Sequence, residues 1–178
     1  MSNVMCINPV KGYIENTVTG EGKEFLMNPN SASESVTVNH EDATPHAMSH
    51  SVYSYNNTTG ATRPVVLFVS RADVMRRMKT GAKAAQEIID DYRRFLWSLT
   101  VPDGQSLLNG AMGADTPIVN LCWPGTFTGK CKVFGMSISY RLFDVSLRPK
   151  VYMASIEFKE YRIGRKWSEE VRRNGIHW

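Results

Sequence analysis

The sequence lacks the long apolar stretch that a membrane-spanning helix needs. Its longest apolar run is Val65-Val66-Leu67-Phe68-Val69, far short of the roughly 20 residues required, and no basic-then-apolar signal segment opens the chain. Cysteine is scarce: there are three, without a C-x-x-C pair, which favours free thiols in a reducing compartment. We therefore expect a chain without a membrane anchor that is made in the cytoplasm.

Sequence signatures of catalysis are also missing. There is no G-x-x-x-x-G-K-[ST] phosphate loop, no G-x-G-x-x-G opening a helix and no G-x-S-x-G around a nucleophilic serine. The carboxylate pairs Asp90-Asp91 and Glu169-Glu170 are adjacent in sequence, so on helices they point to different sides and do not form an acid/base pair. The sequence predicts no enzyme, no catalytic residues and no cofactor.

A metal site is the one chemical alternative that the sequence raises. His40, His46 and His50 lie close together, and two histidines four residues apart could share a helical face as metal ligands. Pro45 and the alternating residues after Met48 instead indicate a loop that enters a strand, where that spacing does not align the rings. We expect solvated loop histidines and no metal; a metal-dependent hydrolase is the alternative reading.

The composition is that of an ordinary folded protein. The 178 residues are 42% hydrophobic and 21% charged, with a net charge of +4, which fits one domain with one core. Alternating residues predict a half-buried hairpin from residues 24–27 and 36–38. The apolar run at 65–69 has the length of a buried strand.

One long helix and a long hairpin are the clearest local patterns. The helix is predicted between residues 80 and 99, and the hairpin has strands at 134–143 and 151–161 that alternate apolar and polar residues. Together the patterns predict a mainly β fold with an inserted helix (α+β), arranged as an antiparallel β-sandwich or partly closed barrel with one long packed helix.

The two ends of the chain differ from this predicted domain, which spans residues 23–161. Residues 1–22 are rich in glycine and read as an extended arm or a weak first strand. Residues 162–178 are basic and carry Trp167 and Trp178, which predicts a short C-terminal amphipathic helix that docks to another protein. Basic clusters also bind nucleic acid, so a nucleic-acid-binding β module is the alternative.

The order of these elements resembles that of the tube-initiator proteins of contractile injection systems and their baseplate relatives in contractile-tailed phages. The likeness runs from about Lys23 to Tyr161. It rests on Phe-Leu-Met-Asn-Pro at 25–29, on the strand that ends Cys-Trp-Pro-Gly at 122–125, and on the closing hairpin at 134–161. The residues matching the family pattern, which are the assembly candidates, are Asn28, Pro29, Trp123, Gly125, Phe143 and Pro149.

This resemblance implies a tail-tube-like fold that forms a ring, with six copies, between the spike-bearing hub and the tail tube. The implied partners are further copies of the chain, the tail tube protein, the baseplate hub and spike, and wedge proteins, while DNA only passes through the lumen. The implied location is the tail baseplate of the virion. The sequence departs from the family in its 144–148 turn, which lacks the usual glycine, and the 17 residues after Tyr161 are too few for the LysM module of longer members, so we do not expect a role in cell-wall binding.

Overall fold

A six-stranded antiparallel sheet forms the centre of the protein. The computed structural model describes residues 11–29, 33–43, 52–58, 60–102 and 116–161, with the backbone alone for residues 40–43 and 52–58. In chain order its elements are β1 (Tyr13–Asn16), β2 (Gly22–Glu24), β3 (Val38–Ala43), β4 (Val52–Thr58), β5 (Thr62–Ser70), α1 (Arg71–Met78), α2 (Ala82–Ser98), β6 (Ile118–Trp123), β7 (Phe127–Phe143) and β8 (Pro149–Glu160).

The order of strands in the main sheet is β2-β1-β6-β7-β8-β5, and β3 and β4 form a separate hairpin. The mainly β, α+β class is therefore confirmed. The prediction of a partly closed barrel is wrong, because the outer strands β2 and β5 do not pair with each other. Their chemistry explains why: β2 has three residues, and Pro64 deprives β5 of one N–H group for a closing ladder.

Helix α2 covers one face of the sheet. It corresponds to the predicted helix, and its inner side places Ile89, Phe95 and Leu96 in one core with apolar residues of β5, β6 and β8. The Tyr152 hydroxyl of β8 donates a hydrogen bond to the backbone oxygen of Ile89 at 2.9 Å. This bond satisfies a polar group inside an otherwise apolar layer.

Helix α1 is an element that the sequence reading missed. Residues 71–79 stand out as a basic cluster, yet Ser70-x-x-Asp73 is a helix-start pattern, and Val74 is buried on the inner side. The helix ends at Lys79, whose φ of 51° lies in the left-handed region. That cap lets the chain turn directly into α2.

The two predicted hairpins have different outcomes. The long one is confirmed, since β7 and β8 pair from Cys131 to Phe143, with register shifts between Val133 and Gly135 and on both sides of Leu142. The hairpin from residues 24–27 and 36–38 is wrong, because β2 pairs with β1 instead. Phe25 is buried in the core without being part of a strand.

The cysteines do not share one state. Cys131 is a buried free thiol, whereas Cys122 is disulfide-bonded, so the expectation of free thiols is wrong for Cys122. Within the predicted N-terminal arm, β1 lies between β2 and β6 in the sheet. His46, His50 and the tail at 162–178, with its predicted short helix, lie outside the described residues.

Candidate functional site

The strands beside β7 change along the long hairpin. β6 pairs with β7 only as far as Lys132, while β7 continues to pair with β8 up to Phe143. Beyond Lys132 the described sheet therefore consists of β7, β8 and β5 alone. We call this part the open half, defined as residues 135–143 of β7, 149–157 of β8 and 64–70 of β5.

Both sides of the open half are strand edges. On β5, Thr62 exchanges backbone hydrogen bonds with Ser35 at 2.8 and 2.9 Å, and this isolated bridge is the last pairing on that side in the described chain. N–H and C=O groups alternate between the two edges of a strand. Val66 and Phe68 are four and six residues after Thr62, so their backbone groups point to the same side as those of Thr62, the open edge.

The strand predicted to be buried at 65–69 is in the structure this half-buried edge strand. Val65, Leu67 and Val69 are buried, whereas Val66 and Phe68 are 41% and 36% exposed. Proline within a strand is tolerated where its missing N–H faces an edge. Pro64 satisfies that condition, because it has the same parity as Thr62.

The outer face of the open half is mixed in character. Three exposed serines, Ser137, Ser139 and Ser155, occupy β7 and β8. Beside them on β5 lie the exposed apolar side chains of Val66 and Phe68, which share their cross-strand rows with Ser155 and Met153. The opposite face is packed against α2. The open half thus presents a polar strip with an apolar margin.

A rigid loop closes the long hairpin at the far end of the open half. The Asp144 carboxylate accepts hydrogen bonds from the N–H groups of Ser146 at 2.8 Å and Arg148 at 2.9 Å. These bonds, led by that of Arg148, lower the pKa of Asp144. Leu147 has a φ of 58°, and it projects into solvent together with the fully exposed Val145.

Four of the six assembly candidates lie at the opposite end of the sheet. Trp123 packs against Phe25 with ring centroids 5.9 Å apart in a T-shaped arrangement. Gly125 has a φ of 79° in the β6–β7 turn, a conformation that favours glycine. The Asn28 side chain accepts a hydrogen bond from the N–H of Gly12 at 3.1 Å, and the half-buried Pro29 follows it. These contacts are internal to the chain.

The other two candidates lie at the loop of the long hairpin. Phe143 and Pro149 face each other across its last pair. Pro149 is buried and its oxygen accepts a hydrogen bond from the Gln86 side chain at 3.2 Å, while Phe143 is largely exposed. The structure therefore separates the six residues into two groups. Trp167 and Trp178 lie outside the described residues.

A buried cation lies at the start of β5. Arg63 is 2% exposed, its Nη2 donates to Glu34 Oε1 at 2.6 Å, and its guanidinium lies 4.5 Å from the centre of the Phe127 ring. Burial raises the pKa of the neighbouring Cys131 thiol to about 11. A thiol that stays protonated at neutral pH is a poor nucleophile. This cluster anchors residues 33–36 to the sheet rather than forming a reactive centre.

Two lysine–aromatic pairs lie at the boundary of the open half. The Lys132 ammonium is 5.1 Å from the centre of the Tyr161 ring, and the Lys159 ammonium is 4.8 Å from that of Phe134. Lys132 and Lys159 are direct cross-strand partners, so both pairs share the outer face. Such a patch combines positive charge with aromatic surface.

The described part of the chain has few features of a metal, ligand or membrane site. Within the described ranges, no three His, Cys, Asp or Glu side chains group to hold a metal, and none of the described helices is long and apolar enough to cross a membrane. An open pocket of about 250 Å³ lies where α2 ends near β7. Its lining has no titratable side chain: Trp97, Thr100, Thr116, Val133, Phe134, Gly135 and Met136.

Comparison with known proteins gives no assignment. No protein-family model matches the chain, and no curated protein is significantly similar to it.

Proposed function

We propose that this protein is a structural, non-enzymatic subunit that assembles with copies of itself into a ring at the base of a contractile tail. In this role it is a tail-tube initiator or baseplate hub subunit of the virion. The observation that carries the proposal is the open half, a three-stranded sheet with an edge on each side. The resemblance in element order to tube-initiator proteins supplies the particular machine.

Open edges favour assembly for a simple reason. Unpaired N–H and C=O groups at a strand edge are a template for another strand, and proteins either block such edges or use them. The edges here are on different strands, β5 and β7. Contacts between two different surfaces join copies head to tail, and they close into a ring when the rotation between copies permits.

The faces of the open half fit the wall of a channel. Its inner face packs against α2 within the chain. Its outer face carries Ser137, Ser139 and Ser155, with Glu157 and Lys159 nearby. In a ring with this face inward, the lumen is polar, and passing DNA meets few apolar side chains. The projecting loop at 144–148 and the chain ends remain for the hub, tube and wedge neighbours.

Molecular mass in solution tests the proposal. We expect light scattering to give a multiple of the chain mass, alone or after co-expression with the hub and tube proteins of the same tail, and negative-stain images to show rings of uniform diameter. A chain that stays monomeric in both conditions contradicts the proposal.

A nucleic-acid-binding β module is the second candidate, and the lysine–aromatic patch favours it. Aromatic rings beside basic groups can stack bases and contact phosphates. Binding of a single-stranded oligonucleotide that weakens steeply with salt, and is lost in Lys132→Glu with Lys159→Glu, supports this candidate. The ring proposal instead expects these substitutions to leave the mass in solution unchanged.

A further inference from the structure

We propose that the ring is joined by one specific contact, in which the β5 edge of one copy lies beside the β7 edge of the next as a parallel pair of strands. This inference rests on the ring proposed above and names its contact surfaces. It concerns Val66–Phe68 on one side and residues 137–140 on the other, which is the part of this edge with regular pairing.

The regular parts of the β5 edge and the β7 edge lie in the same cross-strand rows. Pro64 on β5, Glu157 on β8 and Gly135 on β7 lie in one cross-strand row. At this row both edges are irregular, because Pro64 lacks an N–H and β7 has its bulge. Above it, Val66 and Phe68 continue on one side, and Ser137 and Ser139 continue on the other. The two regular segments therefore match in position and length.

The edges also carry backbone groups without partners in the described structure. Val66 and Phe68 face the open side of β5, since Thr62 of the same parity bonds to Ser35. On the β7 side, no described strand pairs beyond Lys132. Within the described residues, pairing with a further strand at either surface therefore breaks no existing bond.

The direction of the strands distinguishes this contact from a twofold dimer. β5 and β7 are both antiparallel to β8, so they run in the same direction. In a ring whose copies are related by rotation about one axis, β5 of one copy and β7 of its neighbour meet as parallel strands. A twofold dimer instead places β5 against β5, antiparallel.

The exposed apolar side chains at the β5 edge favour a second copy of this chain as the partner at that edge. Val66 and Phe68 are exposed on the outer face at the β5 edge. A neighbouring strand covers part of both side chains, while the serines of β7 and β8 remain open to the lumen. The contact thus buries apolar surface away from water and leaves the polar serine strip exposed to the lumen.

Edge-blocking variants test the contact. Val66→Pro removes an N–H from the open side of β5 without removing a bond to β8, as Pro64 already does. Phe68→Lys places a charge at the same edge. We expect each to raise the concentration needed for assembly by roughly tenfold or more, because hydrogen bonds and apolar cover are lost at every junction. Met153→Lys, in the same row as Phe68 but on the central strand, is the matched control and should still assemble.

Cross-linking identifies the partner surface. Phe68→Cys and Ser139→Cys proteins are mixed and treated with a short bis-maleimide, with wild-type protein as the control for native cysteines. We expect a covalent pair in the mixture and a ladder of covalent multimers in the double variant.

The outcomes distinguish failure of the β5–β7 contact from failure of the ring proposal. Rings that form normally in Val66→Pro and Phe68→Lys, or that give no Phe68–Ser139 cross-link, overturn the contact and leave the ring proposal standing. Covalent dimers of the Phe68→Cys protein alone indicate β5–β5 pairing and overturn it as well. A wild-type chain that is monomeric under every condition overturns both proposals.

Discussion

The two halves of β7 form one continuous strand but have opposite surroundings. In its first half, residues 127–133, the side chains of Phe127, Cys131 and Val133 are buried; β6 pairs with residues 127–132, and β8 joins from Cys131 onward. In its second half Tyr140, Leu142 and Phe143 are exposed, and β8 is the sole strand neighbour within the described chain. The first half, which we call the closed half, therefore contributes side chains to the core, whereas the second half exposes several of its side chains.

The largest expected effect comes from a matched pair on this one strand. Phe127→Ala should cost about 3–5 kcal/mol of unfolding free energy, because it opens a cavity below Arg63 and beside Trp123. Phe143→Ala should cost about 1 kcal/mol or less in dilute protein, because the side chain is 47% exposed and its main ring contact is with Tyr140 at 6.2 Å. Urea unfolding of both variants measures the difference. Equal losses contradict the division of β7 into a closed and an open half.

The second-largest change in unfolding free energy is expected for the buried Arg63–Glu34 pair. Glu34→Ala leaves the Arg63 guanidinium without its carboxylate partner, and loss of one partner of a buried pair is strongly destabilising. Because Glu34 itself is partly exposed, we expect about 2–3 kcal/mol. Arg63→Met with Glu34→Ala should recover part of that loss. The two variants are compared by urea unfolding, and a double variant weaker than Glu34→Ala contradicts this account.

Alkaline pH should lower the free energy of unfolding through ionisation of Cys131. Burial raises the thiol pKa from its ordinary value of 9.0 to about 11, so the folded state holds its proton more tightly than the unfolded state. The resulting stability is fully present below about pH 9 and is lost as pH rises to about 11, by roughly 2–3 kcal/mol. Unfolding measured at pH 8 and 10.5 should show most of this loss, roughly 2 kcal/mol, in wild type and a smaller one in Cys131→Val. An equal loss in both excludes the thiol as its source.

The smallest effect concerns the loop beyond the open half. Leu147 has a φ of 58°, which disfavours a side chain and suits glycine. Leu147→Gly should therefore change stability by no more than about 1 kcal/mol, with a gain expected where relief of strain exceeds the added chain entropy. Thermal unfolding measures it, with Val145→Gly as the control. A large loss in Leu147→Gly indicates that the leucine packs within the monomer.

The same contrast explains which parts of the fold were predictable. The α2 helix and the β7–β8 hairpin have long, regular periodicity, so local pattern was sufficient. The run at 65–69 was assigned to the interior because continuous apolar residues do not reveal which face is covered. Pro64 was the available signal that β5 is an edge.

Other errors arose from contacts that sequence spacing does not encode. Phe25 looked like part of a strand, but it is held by Trp123 from a distant element. The buried Arg63–Glu34 pair joins segments with no shared motif. The open half was not foreseen either, because it depends on β6 ending at Lys132 of β7, a matter of register between distant segments.

Hydrogen exchange at the edge of β5 tests the central claim most directly. The amides of Val66 and Phe68 face the open side, so they should exchange rapidly in dilute monomer and become protected in the assembled fraction. The amides of Val65 and Leu67, which face β8, should be protected in both. Rapid exchange of Val66 and Phe68 in an assembled ring contradicts the claim that the open half is the surface through which copies join.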